Sequence, residues 1–287
     1  MNYPKKIDLH IHTCVSDGTD VPCEIIDRVK EAKIDLFAIT DHDALKACQE
    51  IQSYFVPGDP LFLYGVEFSC KDEEGQYHIL GYDYDPTAPS INAVVDKGHA
   101  LRKKKLEERL MLLEEKFGFT FREKDISALR SLDNPGKPHI GNLMVSYGYA
   151  KTKEEAILKY INHCRAKTIH IRPEEAIRAI LDAGGIPILA HPVYGRGDEL
   201  ILGDDLDHRL RRLVEFGLQG VEGFYSGFTA KLQKEVLSLA EHYHLYVTAG
   251  SDYHGKNKMI CLGDTNLSDP TLYPQGLQRF LDAVLEK

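Results

Sequence analysis

Short apolar runs followed by amphipathic helical patterns recur at both ends of this chain and fail in its middle. That alternation limits the possible folds more than any other feature. KIDLHIHT, DLFAIT, LFLYGVEFSC and YHILGYDY read as strands, with CEIIDRVKEAKI and ALKACQEIQSYF between them at helical period. After residue 169 the pattern resumes, with RPEEAIRAILDAGG, DDLDHRLRRLVEFG, TAKLQKEVLSLAEHYH and LYPQGLQRFLDAVLEK as helices. IPILAHP, LQGVEGFY and LYVTAGSDYHG supply the strands between them. Strand then helix, repeated, predicts parallel βα units and a barrel-like α/β body. DPTAPS looks like an exit from that body. HALRKKKLEERLMLLEEKFGF, KDISALRSL, IGNLMVSYGY and KEEAILKYINHCRA then follow as helices without a strand partner. The expected organisation is a barrel from residues 1–90 and 169–287 with an inserted helical module at 91–168.

The 287 residues carry a formal net charge of −9, which disfavours a general grip on duplex DNA. The charge is uneven: residues 97–167 hold 16 Lys/Arg against 9 Asp/Glu. An acidic body beside a basic segment suits a cation-binding core next to a surface that attracts anions, although a charge run is commonly just a solvated face. No apolar run reaches membrane-span length, so no membrane partner is expected. MNYPKKIDLHIHT lacks the apolar stretch of a signal peptide, and the expected location is the cytoplasm. The six cysteines form no CxxC pair and are expected to be reduced thiols.

Metal-type side chains gather at the C-terminal ends of the expected strands. His10 and His12, two apart, point to one face. Asp17 follows in SDG, Asp41 and His42 end DLFAIT, and Glu67 ends LFLYGVE. His78 lies in YHILGY, His191 ends IPILA, and Asp252 and His254 end LYVTAG. Any one of these could be a satisfied polar residue. Packing does not require so many at strand ends, and unpaired buried carboxylates and imidazoles are costly unless cations neutralise them. In barrel-like α/β folds, side chains at this end converge on the active site. Mixed imidazole and carboxylate donors suit Mn, Fe or Zn, and the absence of cysteine argues against a purely structural zinc site. Cys70 and Cys164 have no base beside them in sequence, Ser251 reads as loop structure, and there is no Walker-type loop.

IDLHIHTCVSDG, AITDHD, GVEFS, HILGY, ILAHP and AGSDYHG, in that order, resemble the PHP (polymerase and histidinol phosphatase) superfamily. The resemblance implies a distorted seven-stranded (β/α) barrel with two or three divalent ions. Carried over, His10, His12, Glu67 and Asp252 would hold the first ion, and Glu67, His78 and His191 the second. Asp17, His42 and His254 would hold the third; Asp17 stands where some branches have His. Asp41 is expected to orient a ligand imidazole. The helical segment resembles the insert of the branch containing nucleoside 3′,5′-bisphosphate phosphatases and 5′→3′ RNA-trimming enzymes. That branch usually has Arg-Pro-His where this chain has Lys137, Pro138 and His139. Lys137 and His139 are expected phosphate contacts; Arg102 and Lys103 are weaker candidates, since an exposed helix face would look the same, and Arg196 and Ser226 are further candidates. After Tyr225 and Ser226 the branch often has His, and here Gly227 and Phe228 stand instead.

The expected function is therefore metal-dependent hydrolysis of phosphate monoesters of small nucleotides. A nucleoside 3′,5′-bisphosphate would give the 5′-monophosphate and phosphate, through a hydroxide bridging two ions at Glu67, with His191 and His254 as the other catalytic candidates. Short single-stranded RNA 5′ ends and histidinol phosphate are alternative substrates. Two rival readings are an amidohydrolase-like C–N hydrolase and a non-catalytic metal module.

Overall fold

The computed structural model describes residues 3–132, 134–164, 169–195, 199–267 and 273–286. Seven strands form one sheet in chain order: β1 (Ile7–Ile11), β2 (Leu36–Ile39), β3 (Leu61–Lys71), β4 (Gln76–Tyr82), β5 (Ile186–Leu189), β6 (Gly220–Tyr225) and β7 (Tyr246–Gly250). All neighbours run parallel except β4, which is antiparallel to both β3 and β5. The connection from Lys71 to Gln76 is too short for the crossover that parallel strands need, so β3 and β4 fold as a hairpin. At the open edge Ile11 bridges Tyr253, and His12 N donates to Tyr253 O at 2.8 Å. The sheet thereby curls into a nearly closed barrel.

Helices α1 (Pro22–Glu31), α2 (Lys46–Ile51), α7 (Pro173–Asp182), α8 (Asp204–Glu215), α9 (Ala230–His242) and α10 (Gln275–Leu285) belong to the barrel portion. Their apolar faces follow the helical period. On α7, Ala176, Ile177 and Ile180 are fully buried against the sheet, while Pro173, Glu174 and Glu175 occupy the first turn. On α9 the Thr229 hydroxyl caps the start, accepting from Leu232 N at 3.3 Å.

Between β4 and α7 run α3 (Pro89–Phe117), α4 (Glu123–Arg130), α5 (Lys137–Ser146) and α6 (Lys153–Lys159). Helix α3 serves two cores. Ile91, Val94 and Val95 pack into the barrel core. Leu106, Leu110 and Leu113 pack into a separate cluster with Leu129, Ile140, Met144, Ala156, Ile161 and Cys164. Gly98, between these stretches, permits close approach to the loop after β2: a Cβ there would lie 2.8 Å from Asp43 Cβ.

Candidate metal centre and active site

The nine imidazole and carboxylate side chains picked out by the sequence meet at one end of the barrel. Glu67 is the hub, and its two oxygens divide the group. Oε2 lies 3.4 Å from His10 Nε2, 3.2 Å from His12 Nε2 and 3.1 Å from His42 Nδ1. Oε1 lies 2.9 Å from His78 Nδ1 and 3.4 Å from His191 Nε2. Asp252 Oδ1 faces His10 and His12 at 3.6 and 3.4 Å. Asp17 Oδ1 stands 3.2 Å from His254 Nε2, and Asp17 Oδ2 is 4.0 Å from His42 Nε2.

Local backbone explains how such distant residues converge. His10 points inward from β1, and His12 follows one residue beyond the strand. Glu67 stands just past the parallel β2–β3 register, which ends at Ile39–Tyr64. His191 and Asp252 follow β5 and β7 with φ of 28° and 58°. Non-glycine residues rarely adopt that left-handed region, and such strain collects where a side chain must be aimed into a site. Gly250 is required beside them, because a Cβ there would lie 2.2 Å from His10 Cβ and 2.5 Å from Glu222 Oε1.

The electrostatics suit divalent cations. His10, His12 and Glu67 are almost wholly sealed from solvent. Burial alone would raise Glu67 and Asp17. The facing imidazoles outweigh it and hold both well below the usual carboxylate range. Burial opposes a charged His12, yet Asp252, Glu67 and Asp17 raise it to about 9. His42 and His254 are pushed down, chiefly by burial, so both are neutral donors. Among the described residues, three donor groups are each compact enough to surround one ion: His10, His12 and Glu67; His42, Glu67 and His78; and His12, Asp17, His42 and His254. Imidazole and carboxylate sets of this kind fit Mn, Fe or Zn.

Around these donors stand residues that fix them. Glu222 was not among the residues singled out from the sequence. Its Oε1 pairs with His10 Nδ1 at 2.9 Å and its Oε2 accepts from His191 N at 2.8 Å. Only its place on the inward face of a buried strand could have marked it. Asp41, expected to orient a ligand imidazole, accepts from Thr13 N, Thr13 Oγ1 and Ser16 Oγ. Its link to His12 runs through Ser16, whose Oγ lies 3.4 Å from His12 Nδ1. Asp252 Oδ2 accepts from Tyr225 OH and Lys258 Nζ. Ser251 donates from N and Oγ to Asp8, a loop-fixing role.

A cleft of about 280 Å³ opens beside His42 and His78. Arg102 and Lys137 line it; Arg102 Nε donates to Asp43 at 2.6 Å and Lys137 Nζ to Asn162 at 2.6 Å. His139 sits behind the rim, its Nδ1 accepting from Gly136 N at 3.0 Å. Ser226 is turned elsewhere, donating to Ser251 O at 2.9 Å. Lys103 is exposed, and Arg196 lies outside the described residues. Cys70 borders the cleft, but burial pushes its thiol well above the usual range, so it offers no ready thiolate. Lys105, Arg109 and His170 also line the cleft and were not singled out from the sequence.

A family model described as the PHP domain matches residues 8–284. The chain belongs to the PHP domain family. It is 29% identical over 262 residues to a 3′,5′-nucleoside bisphosphate phosphatase of Chromobacterium violaceum, covering 86% of this chain and 87% of that one. It is 29% identical over 269 residues to a phosphoribosyl 1,2-cyclic phosphate 1,2-diphosphodiesterase of Eggerthella lenta (87% and 94% covered). It is 28% identical over 268 residues to a 5′-3′ exoribonuclease of Haemophilus influenzae (90% and 93% covered). Among solved structures, one from Bifidobacterium adolescentis, assigned as a metal-dependent phosphoesterase, superposes with a TM-score of 0.82 at 27% identity, covering 96% and 95%. An amidohydrolase of C. violaceum with bound sulfate superposes at 0.84 with 25% identity, covering 97% and 96%. This PHP protein is a metal-dependent phosphoesterase. No helix among its described residues is long and apolar enough to cross a membrane.

Proposed function

We propose that the protein hydrolyses phosphate monoesters of small nucleotides, converting a nucleoside 3′,5′-bisphosphate to the 5′-monophosphate and phosphate. The supporting observation is the cleft that joins His42 and His78 to the basic residues Arg102 and Lys137. A volume near 280 Å³ suits one small nucleotide better than a strand of RNA. The relatives named for bisphosphate phosphatase, cyclic phosphodiesterase and exoribonuclease activity all act on phosphate esters, and a structural relative carries a tetrahedral sulfate.

In this reading His10, His12, Glu67 and Asp252 hold one divalent ion, and Glu67, His78 and His191 a second. Asp17, His42 and His254 hold a third. Bound ions of this kind supply Lewis-acid stabilisation of phosphoryl charge and a nucleophile at neutral pH. The chain's own groups do the rest. Glu222 holds the His10 ring through its Nδ1, leaving Nε2 directed at Glu67 and Asp252. Tyr225 and Lys258 occupy Oδ2 of Asp252, leaving Oδ1 to face the imidazoles. His191 Nε2 faces Glu67 at 3.4 Å and His254 Nε2 faces Asp17 at 3.2 Å, so these two candidates would act as ion ligands, and the proton for the leaving oxygen would come from water. Lys137 and Arg102 present cationic donors to phosphate oxygens.

The test is phosphate release from adenosine 3′,5′-bisphosphate by the manganese-loaded protein. His12→Ala and Asp252→Ala should each lower kcat/KM by about a thousandfold or more while circular dichroism stays native. Turnover untouched by a strong chelator would end this reading.

A further inference from the structure

The candidate donors differ in what holds them. Glu222 fixes His10 and His191, and Tyr225 and Lys258 fix Asp252. His78 is held beside β5, where Ala190 N donates to its carbonyl at 3.0 Å. All of these partners belong to the barrel. Asp17, His42 and His254, the donors assigned to the third ion, are held in another way. Each has its backbone carbonyl bonded by an asparagine, and both asparagines lead to the helical segment between β4 and α7.

Asn134, just before α5, is buried, and its side-chain amide donates to the His42 carbonyl. Arg102 of α3 steadies the same place. Its Nε donates to Asp43 at 2.6 Å and its terminal nitrogen to Ser69 Oγ at 2.8 Å, and that Oγ lies 3.4 Å from His42 Nδ1. Asn257, in the loop after β7, serves the other two donors. Its Nδ2 donates to Asp17 O at 2.8 Å and its backbone N to His254 O at 3.3 Å. The acceptors of Asn257 are taken by α6: Lys153 Nζ donates to Oδ1 at 3.0 Å and to the backbone carbonyl at 3.1 Å. Gly141 of α5 leaves room for the Lys153 stem, because a Cβ there would lie 3.2 Å from Lys153 Cγ. The Lys153 side chain is 15% exposed, so these charge-assisted bonds are stronger than an ordinary surface contact.

We propose that Asn134, Lys153 and Asn257 are positioning residues through which the helical segment completes the third ion's site. Docking of α5 and α6 brings Asp17, His42 and His254 into place around one cation, while the barrel alone fixes the donors of the other two. This rests on the metal-centre reading and deepens it, since one ion of the three becomes conditional on the helices that wall the cleft. Bonds to a donor's own carbonyl set the backbone angles that aim its side chain. Groups standing behind metal ligands in this way are worth about 10- to 100-fold in affinity. Linkage makes the dependence mutual: an ion that favours the docked arrangement holds the helices down by the same free energy. A chain whose helical cluster opened by itself would lose this ion and keep the two fixed by the barrel.

Manganese titration of the metal-free protein, with chelator competition and metal analysis, counts the ions and ranks their affinities. Wild type should bind three. Lys153→Met and Asn257→Ala should each weaken one of them by about 10- to 100-fold and leave the other two unchanged, and Lys153→Arg should recover most of the loss. The double variant should lose little more than Asn257→Ala alone, because both residues act along one path. Hydrogen exchange reads the reverse direction: amides of α5 and α6 should slow when the third ion binds wild type, and less so in Lys153→Met. Unchanged affinity for all three ions, or an equal loss on all three, would overturn the proposal. A wild type that binds only two ions would overturn it as well, while leaving a two-ion phosphoesterase standing. A folded wild type that binds fewer than two would instead count against the metal-centre reading itself. Thermal melts of each variant separate lost folding from lost ligand placement.

Discussion

At the scale of single residues, Glu67 explains why this cluster is compact. One carboxylate faces five imidazoles through its two oxygens, so removing it would leave ring nitrogens from β1, β4 and the loops after β1, β2 and β5 without a shared acceptor. Glu222 acts one layer out. It pairs with the His10 ring and accepts from the His191 backbone, so it sets two candidate ligands at once. Groups in that position raise ligand basicity and fix ring orientation. Glu222→Gln is therefore expected to weaken metal affinity by about 10- to 100-fold with little loss of folded content. Chelator competition followed by metal analysis reads this out; unchanged affinity would show that Glu222 only fills space. The candidate ligands were legible in the sequence because they end apolar runs in a recurring order. Glu222 was not, because a carboxylate inside LQGVEGFY gives no sign of what it will face.

At the scale of elements, α3 joins the barrel to the helices that follow it. The sequence pattern predicted a long helix from His99, whereas α3 begins at Pro89. Its first turns carry Ile91, Val94 and Val95 into the barrel core, so the helix is anchored before it leaves the barrel. That anchoring fixes the rotation of a basic stripe, Arg102, Lys105 and Arg109, over the cleft. The stripe was present in RKKKLEERL as a spacing of three and four, but five cations in that run made every face look charged. Leu113 is fully buried in the separate helical cluster. Leu113→Ala should cost about 2–5 kcal/mol in that cluster. Metal content should persist, since the candidate ligands lie on other elements, while KM for the bisphosphate should rise. Loss of metal together with the fold of this cluster would show that barrel and helices unfold as one.

At the scale of the whole molecule, the barrel brings together residues separated by nearly the full chain. Closure depends on a few bonds between the first strand and the segment after the last, including His12 N to Tyr253 O at 2.8 Å and Tyr253 N to His10 O at 3.3 Å. Those bonds also position His10, His12, Asp252 and His254, so folding and site assembly are one event. Ions that bind only the folded chain add their binding free energy to its stability, about 2.7 kcal/mol for each at a hundredfold excess over Kd. Manganese should accordingly raise the melting temperature, and a chelator should return it to the metal-free value. A melt indifferent to both would contradict assembly of these ligands around cations.

The sequence by itself determined the alternation of strand and helix, the helical segment between the two barrel portions, and the identity of the nine imidazole and carboxylate side chains. Each of these is written locally, in hydrophobic period or in residues at strand ends. Tertiary structure alone decided that Glu67 shares its oxygens among five imidazoles, that Glu222 holds the His10 ring, and that one face of α3 turns its cations into the cleft. Those outcomes depend on barrel closure and on the rotation at which α3 is anchored, which arise only when distant segments pack together.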